Sequence, residues 1–215
     1  MFTKKGICTR NAETWPEEDY SLITYCAFSA VKVMGHTQPQ QIARLKQLRP
    51  HIIVILRLYD VELQNRYFNP GRGMDCSPAE YVAVMSRQIA AIGNAINWSL
   101  FTVQIHNEPN HLAKYEGWSS SLEDAEKFCV WYTQVLEGFR KAFPFLTFGF
   151  PGLAVPHHDL EWLEICRPAV LASNWLGCHT YWQNPGCDDK NHLSKEGGLR
   201  CTKYHDLVPE RNIFI

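Results

Sequence analysis

The sequence predicts an α/β fold, an incomplete (β/α)8 barrel of about six βα units plus the start of a seventh strand. Three observations predict it. Strand-like and helix-like stretches alternate along all 215 residues. The strand candidates, among them "HIIVILRLYD", "FTVQIH" and "LTFGF", are apolar at successive positions rather than at every second one, which marks parallel strands covered on both faces. Six units in series exceed most small doubly wound sheets, whereas a closed eight-fold barrel takes about 250 residues. Residues 1–215 therefore read as one barrel domain, expected to be short of its last unit and a half.

Each element has its own warrant. "KKGICTR" opens the series as a short strand. Thr14, Pro16 and the acidic Glu17, Glu18 and Asp19 start a helix expected to run to about Phe28, because acid in a first turn complements the helix dipole. "AVKVMG" is the second strand, and Ile42, Leu45 and Leu48 hold one face of the helix that Pro50 stops. "HIIVILRLYD" is the third strand. Ser77, Pro78 and Glu80 then combine an N-cap, a first-turn proline and a capping-box acid ahead of the stripe Tyr81, Met85, Ile89, Ile92 and Ile96.

The fourth strand, "FTVQIHNEPNH", runs straight into polar groups that a buried strand does not ordinarily hold. Ser121 and Asp124 repeat the capping pattern, and Ala125, Phe128, Tyr132, Val135, Phe139 and Phe143 recur at helical spacing up to Pro144. "LTFGF" is the fifth strand, "DLEWLEICRPAVL" a helix interrupted by Pro168, and "WLGCHTYW" the sixth strand. From Gln183 to Pro209 the chain is loop-rich, with at most a short helix around Leu199 to Leu207, and "NIFI" begins the seventh strand.

Composition narrows the function classes. With 46% hydrophobic and 20% charged residues the chain reads as a soluble globular protein. The net charge of −1, without any Lys/Arg block, argues against nucleic-acid and membrane partners. No apolar segment follows "MFTKKGICTR" in the manner of a signal peptide, so a cytoplasmic location is the default expectation. Eight cysteines without a C-x-x-C pair suggest neither zinc nor a redox motif and read as free thiols in a reducing compartment. "HNEPNH" is not H-E-x-x-H, and His157, His158 and His179 lack ligand spacing, so neither metal nor cofactor is expected.

In βα barrels chemistry sits where strands run out into the following loops. That rule gathers Arg10 and Asn11 from strand one, His36 from strand two, Arg57, Tyr59 and Asp60 from strand three, His106, Asn107 and Glu108 from strand four, and His179, Tyr181 and Trp182 from strand six. Strict alternation cannot turn both Asn107 and Glu108 inward, so a bulge or a loop start is expected there. His106 reads as a packing histidine. Trp118 and Trp182 fall in rim loops where sugar rings stack on indoles, whereas Trp131 and Trp162 lie within helices. Arg57 suits either a substrate-orienting role or a structural ion pair, and Glu108 itself could be paired structurally with Arg57 or Arg10.

Asn-Glu-Pro closing strand four, His-x-Tyr closing strand six ("GCHTYW") and a seventh strand beginning "NIFI" together resemble clan A glycoside hydrolases, the retaining barrel group that includes the cellulase-like family 5 enzymes. The resemblance implies a hydrolase of O-glycosyl bonds acting on an oligo- or polysaccharide. It makes Glu108 the general acid/base, Asn107 the donor to the sugar 2-hydroxyl, and His179 and Tyr181 the groups flanking the reaction centre. Trp182, Arg57, Arg10 and His36 become candidate substrate-binding residues. A retaining glycosidase also needs a second carboxylate about 5–5.5 Å from the first. In the family that nucleophile closes strand seven, a position expected just beyond Ile215. Asp188, Asp189, Glu196 and Glu210 have no spacing that recommends them in its place. The alternatives are a catalytically inactive barrel fragment or carbohydrate-binding protein, and, less supported by the residues, a metal-dependent barrel hydrolase.

Overall fold

A computed structural model describes residues 6–60, 63, 68, 69, 73, 74, 76–111, 118–155, 157–180 and 199–214. Seven strands form one parallel sheet in chain order: β1 (Gly6–Cys8), β2 (Ala30–Met34), β3 (Ile53–Arg57), β4 (Phe101–Gln104), β5 (Thr147–Phe150), β6 (Trp175–Gly177) and β7 (Ile213–Phe214). The intervening helices are α1 (Glu17–Tyr25), α2 (Pro39–Leu48), α3 (Pro78–Ala95), α4 (Leu122–Ala142), α5 (Asp159–Ile165), α6 (Arg167–Ala172) and α7 (Arg200–Leu207). Strands that neighbour in sequence also neighbour in space, with helical crossovers between them, which is the pattern of an incomplete (β/α)8 barrel.

Alternation along the strands sorts side chains into two cores. Val31, Val33, Val54, Leu56, Val103, Phe148 and Leu176 point to the helices and join Ile42, Leu45, Met85, Phe128 and Phe139 in the main cluster. The opposite face turns into the barrel, where Ala30, Ile55 and Trp175 form a second cluster with Ile53 and Phe214. Trp175 fills this interior because Gly149, its partner across β5, has no side chain: a Cβ there would meet the indole at 2.2 Å. The indole N–H donates to Thr102 Oγ1 at 2.7 Å, so the buried ring keeps its polar edge satisfied.

Local chemistry sets the helix ends. Ser77 Oγ accepts from the Glu80 N–H at 3.2 Å and Ser121 Oγ from the Asp124 N–H at 3.1 Å, so both expected caps are present. The helix expected to be interrupted by Pro168 is two helices meeting at Cys166. Proline has no N–H to give and its ring would strike the carbonyl four residues back, so α5 ends and α6 restarts with Pro168 in its first turn. The first helix stops at Tyr25 rather than about Phe28, since Ala27 takes a left-handed conformation (φ 51°) to turn the chain into β2. A short antiparallel hairpin, Phe68–Asn69 against Gly73–Met74, lies between β3 and α3 and had no sequence expectation.

Buried charge pins the last helix. Arg200 at the start of α7 donates from Nε and Nη2 to both carboxylate oxygens of Asp159 at the start of α5, at 2.9 and 2.7 Å. Tyr204 adds a third donor to Asp159 Oδ2 at 3.0 Å, and burial raises its phenol above the usual range. The two charged side chains are only 6% and 1% exposed.

Candidate active site

Backbone geometry at the end of β4 decides which side chains reach the rim. Regular pairing stops at Gln104, and His106 (φ 66°) and Glu108 (φ 38°) both adopt left-handed conformations. Two such residues cost of order 1–3 kcal/mol each and break the alternation of the strand. His106 is turned to the helix side, where its ring meets Phe128 at 5.7 Å and Trp131 at 6.1 Å on α4. Burial lowers its pKa to about 4, with the Arg57 charge adding to the lowering and a hydrogen bond at Asn107 opposing it. It packs as a neutral imidazole.

Glu108 turns toward the end of β6. Its Oε1 lies 2.7 Å from His179 Nδ1, with the two side chains 13% and 18% exposed. His179 has the same parity along its strand as Trp175 and Gly177, so it follows the inward-facing side of the sheet. The contact sets a carboxyl against an imidazole, two residue types that serve in general acid/base catalysis.

Gly152, two residues past β5, makes the pair possible. A Cβ on it would lie 2.5 Å from His179 Cδ2 and 2.7 Å from Nε2, so only a bare Cα lets the ring settle there. Gly177 is equally constrained, because its Cβ would sit 2.5 Å from the Gly152 nitrogen. The Gly152 carbonyl accepts from the Glu108 N–H at 3.1 Å, so one residue fixes both partners. Asn110, wholly buried, completes the knot: its Nδ2 donates to the carbonyls of Ala154 (2.7 Å) and His157 (2.8 Å), and its Oδ1 accepts from the Ala154 N–H (2.7 Å). Neither Gly152 nor Asn110 was singled out by sequence reasoning. The available signals were "PG" directly after a strand and a second asparagine in "NEPN".

Asn107 is 7% exposed, and its Oδ1 accepts a long contact, 3.4 Å, from Gln104 Nε2. Arg57 closes β3 beside Gln104 of β4 in register. Burial lowers the His36 pKa, the Glu13 carboxylate opposes that, and Arg57 adds to the lowering. His36 and Tyr59 make an edge contact at 5.4 Å between ring centres. Gln88 of α3 holds the Tyr59 backbone from both sides, accepting its N–H at 3.3 Å and donating to its carbonyl at 2.6 Å. Gly35 leaves the space for that amide, since its Cβ would lie 2.1 Å from Gln88 Oε1.

Two expectations look different in the structure. Arg10 makes a bidentate ion pair with Asp19 of α1, both bonds at 2.6 Å, so its guanidinium is turned to that helix and not to Glu108. Trp118 is a packing residue, 6% exposed and set against Phe128 and Trp131 at 5.8 and 6.0 Å, instead of an open rim platform. Tyr181 and Trp182 lie outside the described residues, as do Asp188, Asp189 and Glu196. No group of three or more His, Cys, Asp or Glu that could hold a metal ion occurs among the described residues. Among them, too, no helix is long and apolar enough to cross a membrane.

No family model and no curated protein matches the chain. Solved structures do match it. A GH39 enzyme from Xanthomonas axonopodis pv. citri aligns with 99% of this chain and 49% of its own, at 14% identity and a TM-score of 0.61. An endo-β1,6-glucanase aligns with 100% of this chain and 57% of its own, at 12% identity and a TM-score of 0.63. A family 51 α-L-arabinofuranosidase from Bifidobacterium longum aligns with 96% and 51%, at 12% identity and a TM-score of 0.60. At such identities the likeness shows the fold, a parallel barrel of the kind found in these glycosidases. The chain spans between 49% and 57% of their lengths.

Proposed function

We propose that the protein is a retaining O-glycoside hydrolase acting on an oligo- or polysaccharide, with Glu108 as general acid/base. The observation that supports this most is the 2.7 Å contact between Glu108 and His179 at the ends of parallel strands β4 and β6. A barrel alone does not choose a chemistry, because the same frame serves many reactions. A carboxyl held by an imidazole at the C-terminal rim is more selective, since glycoside cleavage needs a proton delivered to the leaving oxygen and then removed from the attacking water.

In this reading His179 holds the Glu108 carboxyl in one orientation and takes part in its proton exchange. Asn107 donates to the 2-hydroxyl, and Tyr181, Trp182, Arg57 and His36 contact the sugar. The second carboxylate, the nucleophile, would close β7, the strand paired directly beside the one that leads to His179. A cellulase-like family 5 specificity belongs to this proposal, as does the absence of nucleic-acid and membrane partners.

Turnover on a panel of aryl glycosides and oligosaccharides tests it, using the uninterrupted reading frame that contains residues 1–215. Proton NMR of the first-formed product is expected to show the anomer of the substrate, and Glu108→Gln to lower kcat/KM by about 10²–10⁴-fold on substrates with poor leaving groups. An inverted first product, or full activity in Glu108→Gln, would remove the retaining mechanism or the residue assignment respectively.

A further inference from the structure

Away from the rim, α4 and the elbow between α5 and α6 bring two thiols together. Cys166 is the elbow residue itself, wholly buried, and its Sγ donates to the Ala125 carbonyl of α4 at 3.4 Å. Ala125 is one helical turn ahead of Cys129 on the same helix, so the Cys166 sulfur lies along the face that Cys129 occupies. The two thiols touch each other, and Cys129, unlike Cys166, is partly exposed. We propose that Cys129 and Cys166 are a peroxide-responsive dithiol, Cys129 reacting first with a hydroperoxide and Cys166 resolving the product into a disulfide that ties α4 to the α5–α6 elbow.

The electrostatics divide the labour between them. Contact with Cys166 lowers the Cys129 thiol below the ordinary range, against the opposing effect of burial. The same contact and burial push Cys166 far above the ordinary thiol range. Access governs attack on peroxide as thiolate character does, and of the two only Cys129 is partly exposed. The other described buried thiols are poor competitors: burial raises Cys76 to about 11 and Cys178 higher still.

The steps balance. The Cys129 thiolate attacks one peroxide oxygen, the O–O bond breaks, and with one proton the leaving hydroxide departs as water, giving Cys129 sulfenic acid. The sulfur of Cys166 then displaces hydroxyl from that sulfenic acid, its thiol proton leaves with the hydroxyl as a second water, and the S–S bond forms. The hydroperoxide is reduced by two electrons and the thiol pair oxidised by two. Dithiothreitol reverses the link by thiol exchange.

The test is an equimolar hydrogen peroxide treatment of the protein, alkylation of remaining thiols, and mass mapping of a non-reduced digest. The expected result in the unmutated protein is a Cys129–Cys166 cross-linked peptide that dithiothreitol removes. Cys166→Ser is expected to leave a dimedone-reactive Cys129, and Cys129→Ser to leave Cys166 reduced. The proposal is overturned if exposed Cys8 and Cys26 oxidise while Cys129 and Cys166 stay reduced, or if unmutated Cys129 oxidises without any link to Cys166. Mapping the unmutated protein decides between these outcomes even where a variant folds poorly.

Discussion

Gly152→Ala would force the His179 ring away from the position in which it meets Glu108, because the added Cβ would stand 2.5 Å from the ring. On the proposed function the ring belongs to the catalytic pair, and misplacing such a group by about 1 Å can cost about 10²-fold in rate, so a loss of that order in kcat is expected with the fold retained. Imidazole nitrogen NMR is the direct check, and an unchanged His179 signal in the variant would show that Gly152 does not position it. His106 gives a pH prediction. Its folded pKa of about 4 lies below the unfolded value of 6.5, so the unfolded state binds the proton first and stability falls as pH drops from about 6.5 to about 4. Integrated over that window the loss approaches about 3 kcal/mol. Urea midpoints across these pH values should show it, and His106→Asn, which tolerates a left-handed backbone, should flatten the slope. Glu108 was legible in the sequence because a carboxyl after an apolar run is an anomaly in itself. Gly152 was not, since a glycine's role depends on the ring that leans over it from another strand.

At the scale of elements, Asp159 and Arg200 join helices that lie far apart in sequence. Removing one partner leaves the other charge buried, which typically costs about 3–5 kcal/mol, whereas replacing both with apolar groups is often close to neutral. Asp159→Asn is therefore expected to lower stability by about that amount in chemical denaturation, and Asp159→Leu combined with Arg200→Met by clearly less. Equal losses in the two would mean that packing, not charge, dominates the joint. The long helices α3 and α4 were legible because cap, acidic first turn and apolar stripe all agreed. The break at Cys166 was half legible: Pro168 announced an interruption, but a bent helix and two helices share the same signal. The hairpin after β3 left no trace, because two-residue arms are too short to show any period.

For the molecule as a whole, seven parallel strands in sequential order bring the ends of β4, β5 and β6 together around Gly152, and with them Glu108 and His179. The barrel was legible because it follows from repetition, which survives errors at any single element. The composition of the rim was less so, since side-chain direction there depends on left-handed residues that sequence alternation cannot foresee. Partner choice adds to this: Arg10, just past β1, is tied to Asp19 of α1, and Trp118, in the connection between β4 and α4, is buried against α4.

The central claim is that Glu108 delivers the proton to the leaving group. The measurement that reaches it most directly is the dependence of kcat/KM on leaving-group acidity, for the unmutated protein and for Glu108→Gln, across aryl glycosides from dinitrophenyl to phenyl. A group that leaves well needs no proton, whereas a poor one depends on it. The account predicts a small loss in Glu108→Gln with dinitrophenyl glycosides, growing to about 10²–10⁴-fold with phenyl ones. A loss of equal size across the series, or no turnover of any glycoside by the unmutated protein, would contradict it.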